Sequence, residues 1–399
     1  MDNQFSNKPV IHKESYLKLF MRFLKFGLLA WGGPVPQIAM LRQEMVEEEH
    51  WISPERFNRV LSVYQALPGP EAHELCVYFG MVARGRWGGF LAGLGFMLPG
   101  FLLMFALSWL YVAQGISTPF LSAVFFGFQA AVVAFIVRAV HRIGGHALTS
   151  PALWGIAGFS VVAELVGTHF LITLLFAGAA FIFMNQRKYV LVSIGAILVL
   201  AATAASFLLF PAMQQGPSAN AAWLATPSLP TLFWSGLRSG LLTFGGAYTV
   251  IPFLQHDAVE IGRWMTNSQF LDGLALSGIL PAPLIIFSTF VGYLGSGPLG
   301  ALLLTVGIFL PAFAFTLIGH NYLERVISNT AFHNFLDGMT AGVVGLITVT
   351  TLQLFRSAIV DYQAVGIFAL SLFALYRWKA KMAVIFIVLG AGIVSLLLK

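Results

Sequence analysis

The sequence predicts an all-α polytopic membrane protein of about 13 spans, built from two homologous copies arranged as inverted repeats, with helices broken at Pro and Gly. Composition is the first ground: 399 residues, 58% hydrophobic and 10% charged, lie far from the usage of a soluble domain. Span length is the second. Stretches 90–111, 120–140, 171–184, 190–210, 299–318 and 380–398 each approach the roughly 20 residues that a helix needs to cross about 30 Å of hydrocarbon. Internal repetition is the third. Residues 25–70 recur 213 positions later without a gap, so that Gly27, Gly32, Gly33, Trp51, Phe57, Pro68 and Pro70 return as Gly240, Gly245, Gly246, Trp264, Phe270, Pro281 and Pro283. The register then slips by one, and Gly80, Gly85, Gly88, Leu98 and Pro99 return as Gly292, Gly297, Gly300, Leu310 and Pro311.

Residues 1–15 lack the apolar core and cleavage site of a signal peptide, so none is removed, and with Lys8 and Lys13 they read as a cytoplasmic tail. The first copy covers 16–210, an uncharged extracytoplasmic linker 211–230, and the second copy 231–399. Basic residues mark span ends: Lys8, Lys13 and Lys18, Arg84 and Arg86, Arg138 and Arg142, Arg187 and Lys188, Arg325, and Arg377, Lys379 and Lys381. Placing these in the cytoplasm and the linker outside requires 54–84 to cross once in net terms, as one helix broken at Pro68-Gly69-Pro70. The first copy then holds seven crossings and the second six, so the second enters from the opposite face. The basic turn Arg84-Gly85-Arg86 has the neutral mate Ser296-Gly297-Pro298, as a swap of sides requires. If 54–67 and 70–83 dip in and out as a hairpin instead, the count becomes even and the copies parallel. Residues 37–50, with Glu47, Glu48 and Glu49, read as an amphipathic surface helix.

The same composition excludes whole classes. The long polar stretches are 1–15, 41–59 and 211–230, which leaves no room for an extramembrane catalytic domain. The net charge of +6 sits at helix ends, where it sets orientation rather than recruiting nucleic acid. Cys76, the one cysteine, lies in an apolar segment as a small core residue, so no disulfide framework or thiol metal cluster is expected. The sequence shows no nucleophile elbow, phosphate-binding glycine loop or paired-aspartate motif, and no cofactor is expected.

Four constellations could carry chemistry. Gly32-Gly33, with its mate Gly245-Gly246, lets a helix unwind, and unwound backbone at membrane depth is tolerated where it is buried or lines a cavity; close helix packing is the plainer use of such residues. Pro68-Gly69-Pro70, with its mate Pro281-Ala282-Pro283, starts a helix whose first N–H groups are free at the positive dipole end, where an anion can be held. Simple kinks are the alternative. Lys25 and Arg238 occupy one repeat position inside the first span of each copy, where a cation balances substrate charge or snorkels to the interface. Glu71, His73 and Glu74 follow the first proline turn and suit proton coupling. They lack the i, i+4 His pair of a helical zinc site, and they would be the one polar cluster available to a membrane enzyme. In the second copy Leu284, Ile286 and Phe287 stand in their places.

At these residues the chain resembles the chromate ion transporter family. The phrases are Lys25-Phe26-Gly27 with Gly32-Gly33-Pro34, Gln65-Ala66-Leu67-Pro68-Gly69-Pro70, Thr243-Phe244-Gly245-Gly246-Ala247-Tyr248, and Asp272-Gly273-Leu274-Ala275-Leu276. They cover both copies. The resemblance implies an inverted-repeat fold of about thirteen spans and export of chromate, driven by the membrane potential or proton gradient, with sulfate as a structural analogue. It carries over Lys25, Gly32, Gly33, Pro68, Gly69, Pro70, Gly245 and Gly246 as site elements. Pro281-Ala282-Pro283 departs from the Pro-Gly-Pro that the family often has. The expectation is therefore a secondary active exporter of a tetrahedral oxyanion in the inner membrane, with lipid around it and homodimerisation left open. A carrier or channel for another anion such as sulfate is the rival within transport.

Overall fold

A computed structural model describes residues 14–114, 118–209, 226–327, 329–378, 380 and 382–398, with the backbone alone at 66, 207–209 and 320–327. The tail up to residue 13 with Lys8 and Lys13, most of the linker, the Arg325 side chain, Lys379 and Lys381 lie outside the described residues. Among the described residues every regular element is helical. The first copy runs α1 (Tyr16–Leu28), α2 (Pro34–Arg42) continued by a π-turn run Gln43–Glu48, α3 (Pro54–Ala66), α4 (Glu71–Gln114), α5 (Pro119–Ala147), α6 (Pro151–Leu165), α7 (Phe170–Asn185) and α8 (Tyr189–Leu209). The second runs α9 (Leu229–Leu241), a 3-10 turn Ala247–Thr249 leading into α10 (Val250–Gln255) and a π-turn run His256–Ile261, then α11 (Asn267–Gly278). A 3-10 turn Leu284–Phe287 then enters α12 (Ser288–Ile327), followed by α13 (Thr330–Ala358), α14 (Tyr362–Arg377) and α15 (Ala383–Leu398).

Capping explains many of the starts. Ser15, Ser53, Thr118, Ser150, Ser228 and Thr266 each accept a backbone N–H of the helix they precede, and proline stands in the first turn of α2, α3, α5, α6 and α9, where its missing N–H costs nothing. Five helical stretches, 71–114, 119–147, 189–206, 284–319 and 330–358, are long and apolar enough to cross a membrane, and α6, α7, α14 and α15 are shorter apolar helices.

Two expectations about the first copy need correction. Residues 54–84 are not one broken span. Phe57 stacks on Phe79 with ring centroids 6.4 Å apart, and Arg56 Nε donates to Tyr78 Oη at 3.2 Å. A straight continuation would separate positions 57 and 79 by about 33 Å at 1.5 Å per residue. Instead α3 enters, turns at Pro68-Gly69-Pro70, and the first limb of α4 returns beside it. The surface helix expected at 37–50 is likewise the returning limb of a hairpin with α1: Arg22 reaches Glu44 at 3.2 Å and Glu49 at 2.6 Å, and Gln37 Nε2 donates to Ala30 O at 2.8 Å. Charge explains the second error. Glu47 and Glu48 are exposed, but Glu44 and Glu49 are claimed by Arg22. Arg22 also holds Glu14 at 2.6 Å, and the bonds and charges of Arg22 and Lys18 outweigh burial to leave the Glu14 carboxyl below its ordinary range.

The second copy repeats both hairpins. Ser235 Oγ donates to Asp257 at 2.6 Å across the first. In the second, Phe270 meets Phe287 at 5.2 Å, and Trp264 Nε1 donates to Val291 O at 3.2 Å.

A further fold-back follows each second hairpin. At Arg84-Gly85 the chain leaves helical geometry, with Gly85 at φ 64°, and Ser296-Gly297 repeats it with Gly297 at φ 61°. Only glycine adopts this left-handed conformation cheaply. The limbs then close so tightly that a Cβ on Gly80 would lie 2.4 Å from Gly88 O, and one on Gly292 2.4 Å from Gly300 O. The long second limbs of α4 and α12 pack against each other with Gly89 on Leu317 and Gly93 on Phe313, an antiparallel pairing.

Candidate substrate site

Four hairpin tips meet at one place in the molecule. Gly32 and Gly33 (φ 87° and 83°) form the first, Pro68-Gly69-Pro70 the second, Gly245 and Gly246 (φ 80° and 109°) the third, and Pro281-Ala282-Pro283 the fourth. Gly69 N donates to Thr243 O at 2.9 Å, which ties the second tip to the third. Gly33 faces the Tyr248 hydroxyl just after the third, and Gly246 faces the Glu71 carboxyl just after the second. Gly32, Gly33, Tyr248, Ser277, Leu280 and Ala282 are among the residues lining one small cavity that joins the first tip to the fourth. The two proline tips seat in equivalent places on the opposite copy, Gly69 against Ala312 and Ala282 against Gly100. Ala282 is tolerated because its φ is not positive, whereas Gly69 sits at φ 149°.

Each tip ends a limb that enters and begins one that returns. The starts of α2, at Pro34, and of α4, at Glu71, therefore aim helix N-termini at the common centre; in α2 the prolines at 34 and 36 carry no N–H, and neither Gly33 nor Pro70 offers a side-chain cap. One cation joins them. The Arg142 guanidinium, carried by α5, lies 5.4 Å from the centre of the Tyr248 ring, and its charge acts on both Tyr248 and Glu71. Arg138, one turn earlier on the same face, also acts on Tyr248. The arrangement offers backbone donors, a phenol and a guanidinium around one point, the chemistry of an anion site.

The structure divides the residues singled out in the sequence. Gly32, Gly33, Pro68, Gly69, Pro70, Glu71, Glu74, Gly245, Gly246, Pro281, Ala282 and Pro283 gather at the tips. Glu74 is fully buried beside Gly69, and neither carboxyl oxygen has a hydrogen-bond partner among the described residues. His73 is buried too but turns away, its ring lying 4.7 Å from Phe313, 5.0 Å from Phe309 and 6.5 Å from Phe96. Lys25 is exposed, in the last turn of α1. Arg238, expected to balance substrate charge, is engaged elsewhere: it pairs with Asp257 on the returning limb, and its guanidinium lies 5.1 Å from the Phe170 ring. The repeat explains this, because the position of Asp257 is that of Glu44 in the first copy, where Arg22 is the partner. Among the described residues, no three His, Cys, Asp or Glu side chains are grouped to hold a metal ion.

Arg238→Gln is accordingly expected to cost folded protein, by about 3–5 kcal/mol for an orphaned buried carboxylate. Adding Asp257→Asn should restore most of it, as read by the yield and thermal stability of detergent-solubilised protein.

Arg142 was the residue missed. It reads in the sequence as a basic span end, yet Arg138 and Arg142 stand four apart, on one helical face at the end of an otherwise apolar stretch, and that spacing was the available signal.

A polytopic helical protein whose broken hairpins from two homologous copies converge on one polar centre belongs to the class of membrane transporters, not enzymes. The chromate transporter family model matches residues 17–210 and 230–396, and the chain belongs to that family. It is 55% identical over 390 residues to a chromate transport protein of Pseudomonas aeruginosa, covering 95% of this chain and 91% of that one. A chromate transport protein of Cupriavidus metallidurans is 30% identical over 382 residues, covering 95% and 92%. An uncharacterized transporter of Methanocaldococcus jannaschii is 28% identical over 394 residues, covering 95% and 94%. No solved structure matches the chain.

Proposed function

We propose that this protein exports chromate from the cytoplasm across the inner membrane, with the dianion held where the hairpin tips meet. The observation that carries this reading is the convergence of two helix N-termini, Tyr248 and the Arg142 guanidinium at one centre, in a chain 55% identical to a protein named for chromate transport. Arg142 supplies the charge balance that Lys25 and Arg238 were expected to supply. Alternating access then consists of one copy rocking against the other about the tips, driven by the membrane potential, the proton gradient or both.

Inverted repeats support that motion. Taking the five long and four shorter apolar helices as the crossings gives five to the first copy and four to the second. The hairpins at α1–α2 and α3–α4 each return to the side they entered from. Two crossings are thereby lost from the expected seven, the count stays odd, and the second copy still enters from the opposite face. The antiparallel packing of the second limbs of α4 and α12 agrees with a two-fold axis in the membrane plane. The N-terminus is cytoplasmic on this reading, on the face that carries Arg84 and Arg86.

Glu74, buried without a partner beside Glu71, carries a proton in this arrangement and couples its release to transport. Glu74→Gln mimics that protonated form, so it should fold as wild type while transport loses its dependence on an imposed pH gradient, measured in everted vesicles.

The primary test is chromate content in cells lacking their own exporter, with and without the protein, beside a sulfate-loaded control. Lower chromate with unchanged sulfate is the expected result. Lower sulfate with unchanged chromate would transfer the site to another oxyanion, and no change in either, with the protein in the membrane, would sink the assignment.

A further inference from the structure

Asp272, on α11, is a buried acid of the second copy. It is 1% exposed. One carboxyl oxygen accepts from Tyr111 Oη at 2.8 Å and the other from Gln129 Nε2 at 2.8 Å. Gln129 is held in turn by Ser268 Oγ, also on α11, at 2.6 Å. Both donors to the carboxyl are neutral. The facing titratable group from α4 is Tyr111, and α5 presents the Gln129 amide. From α12 come Phe290, whose ring lies 4.9 Å from that of Tyr111, and no charge; no charged side chain of α12, α13 or α15 is among the groups acting on the carboxyl. The other buried aspartate of this copy, Asp257, has Arg238. An ionised carboxylate buried with no counter-charge is costly, and inside a membrane protein such a group is the usual seat of a transported proton.

Its placement adds a mechanical argument. Asp272 belongs to the second copy, whereas Tyr111 and Gln129 belong to the first. The three-way contact therefore straddles the joint along which one copy must slide past the other. It lies on the entering limb of the fourth hairpin, whose tip at Ala282 lines the central cavity. Its repeat position in the first copy is Arg59, so the carboxyl is a feature of one half alone.

We propose that Asp272 is a proton-binding group on the second-copy side of the site, whose protonation and release are tied to making and breaking the Tyr111–Asp272–Gln129 contact as the copies move. This rests on the transport reading above and adds a coupling residue to it. The step is a simple acid dissociation: the carboxylic acid gives up one proton to water on one face and recovers one from the other, with no other bond made or broken. The protein thus carries protons inward against the outgoing anion.

The test uses everted vesicles containing the full chain, with the membrane potential collapsed by valinomycin and potassium. Chromate uptake driven by an acid interior is measured beside exchange of preloaded chromate for labelled chromate at equal pH. Asp272→Asn should lose at least tenfold of the gradient-driven uptake and retain exchange within about twofold, while Asp272→Glu should recover part of the driven uptake. Tyr111→Phe, which removes one hydrogen bond from the carboxylate, should move the pH of half-maximal driven uptake upward by roughly one unit. Driven uptake of wild-type size in Asp272→Asn would overturn the proposal. So would loss of exchange together with driven uptake in Asp272→Asn, accompanied by an unmoved pH profile in Tyr111→Phe, since a packing role predicts that pattern. Absence of exchange in the wild type would instead strike at the transport reading itself.

Discussion

Arg142→Gln is expected to abolish chromate tolerance while leaving the protein folded and abundant. Arg142 is exposed near the C-terminal end of α5, so its loss empties no packed core and orphans no full ion pair. What it removes is the charge that faces the tips beside Tyr248. A hydrogen bond to a charged group is worth about 1.5–3 kcal/mol, which corresponds to a rise of roughly ten- to a hundredfold in the chromate concentration for half-maximal transport. Arg142→Lys should fall between, because an ammonium keeps the charge but loses the planar fork that suits an oxyanion. The decisive comparison is with Lys25→Gln, which should behave as wild type. Equal losses in the two variants, at equal abundance, would restore Lys25 to the site and remove Arg142 from its special place.

The second large effect concerns the fold-back of α4. Gly80→Val is expected to prevent accumulation of folded protein, and Gly292→Val to do the same in the second copy. Even the first carbon of a side chain at Gly80 would lie 2.4 Å from Gly88 O and 2.5 Å from the Ala92 Cβ. Backbone cannot yield there without opening the hairpin, so the cost exceeds the roughly 1–3 kcal/mol of ordinary overpacking. Gly158→Ala provides the contrast. That glycine lies within α6 with nothing within 4 Å of an added Cβ, and alanine there should raise helix stability by about 0.5–1 kcal/mol. Monodisperse protein after detergent extraction, and its melting temperature, distinguish the two cases.

The duplication, the membrane class and the Gly and Pro residues that form the hairpin tips were legible in the sequence because they are the residues that interrupt helices, and interruptions survive as a pattern even when apolar neighbours vary. The direction of the chain after each interruption was not legible. A Pro-Gly-Pro break looks the same whether the second limb continues or returns; what decides is the pairing of Phe57 with Phe79 and of Arg22 with Glu44, contacts between residues about twenty apart with no local periodic signature. Charges misled for a related reason. Arg238 stands in a span and suggests substrate, but its meaning depends on Asp257, nineteen positions on. Arg142 stands at a span end and suggests orientation, but its meaning depends on Tyr248, in the other copy. Asp272 belonged to a recognisable phrase, yet nothing in that phrase foretells that its partners are Tyr111 and Gln129.

The re-entrant hairpins also dictate how the chain is put together during synthesis. Limbs of 13 residues, as in α1 and α3, are about 20 Å long and cannot span the bilayer, and their unwound tips would carry naked backbone into lipid. They therefore cannot be handed to the membrane one by one as they leave the ribosome. The wall on which α1 rests, Gly95 and Phe96 against its residues 20–27, emerges some seventy residues later, in α4, a helix long and apolar enough to cross a membrane. Until then the opening hairpins must wait at the membrane surface. The tips of the first copy wait longer still, because Thr243 and Ala312, against which Gly69 closes, belong to the last third of synthesis and its approach. Assembly of the central site is thus a late event, completed by the second copy, and a chain released after the first would hold its glycines and prolines with nothing to close upon.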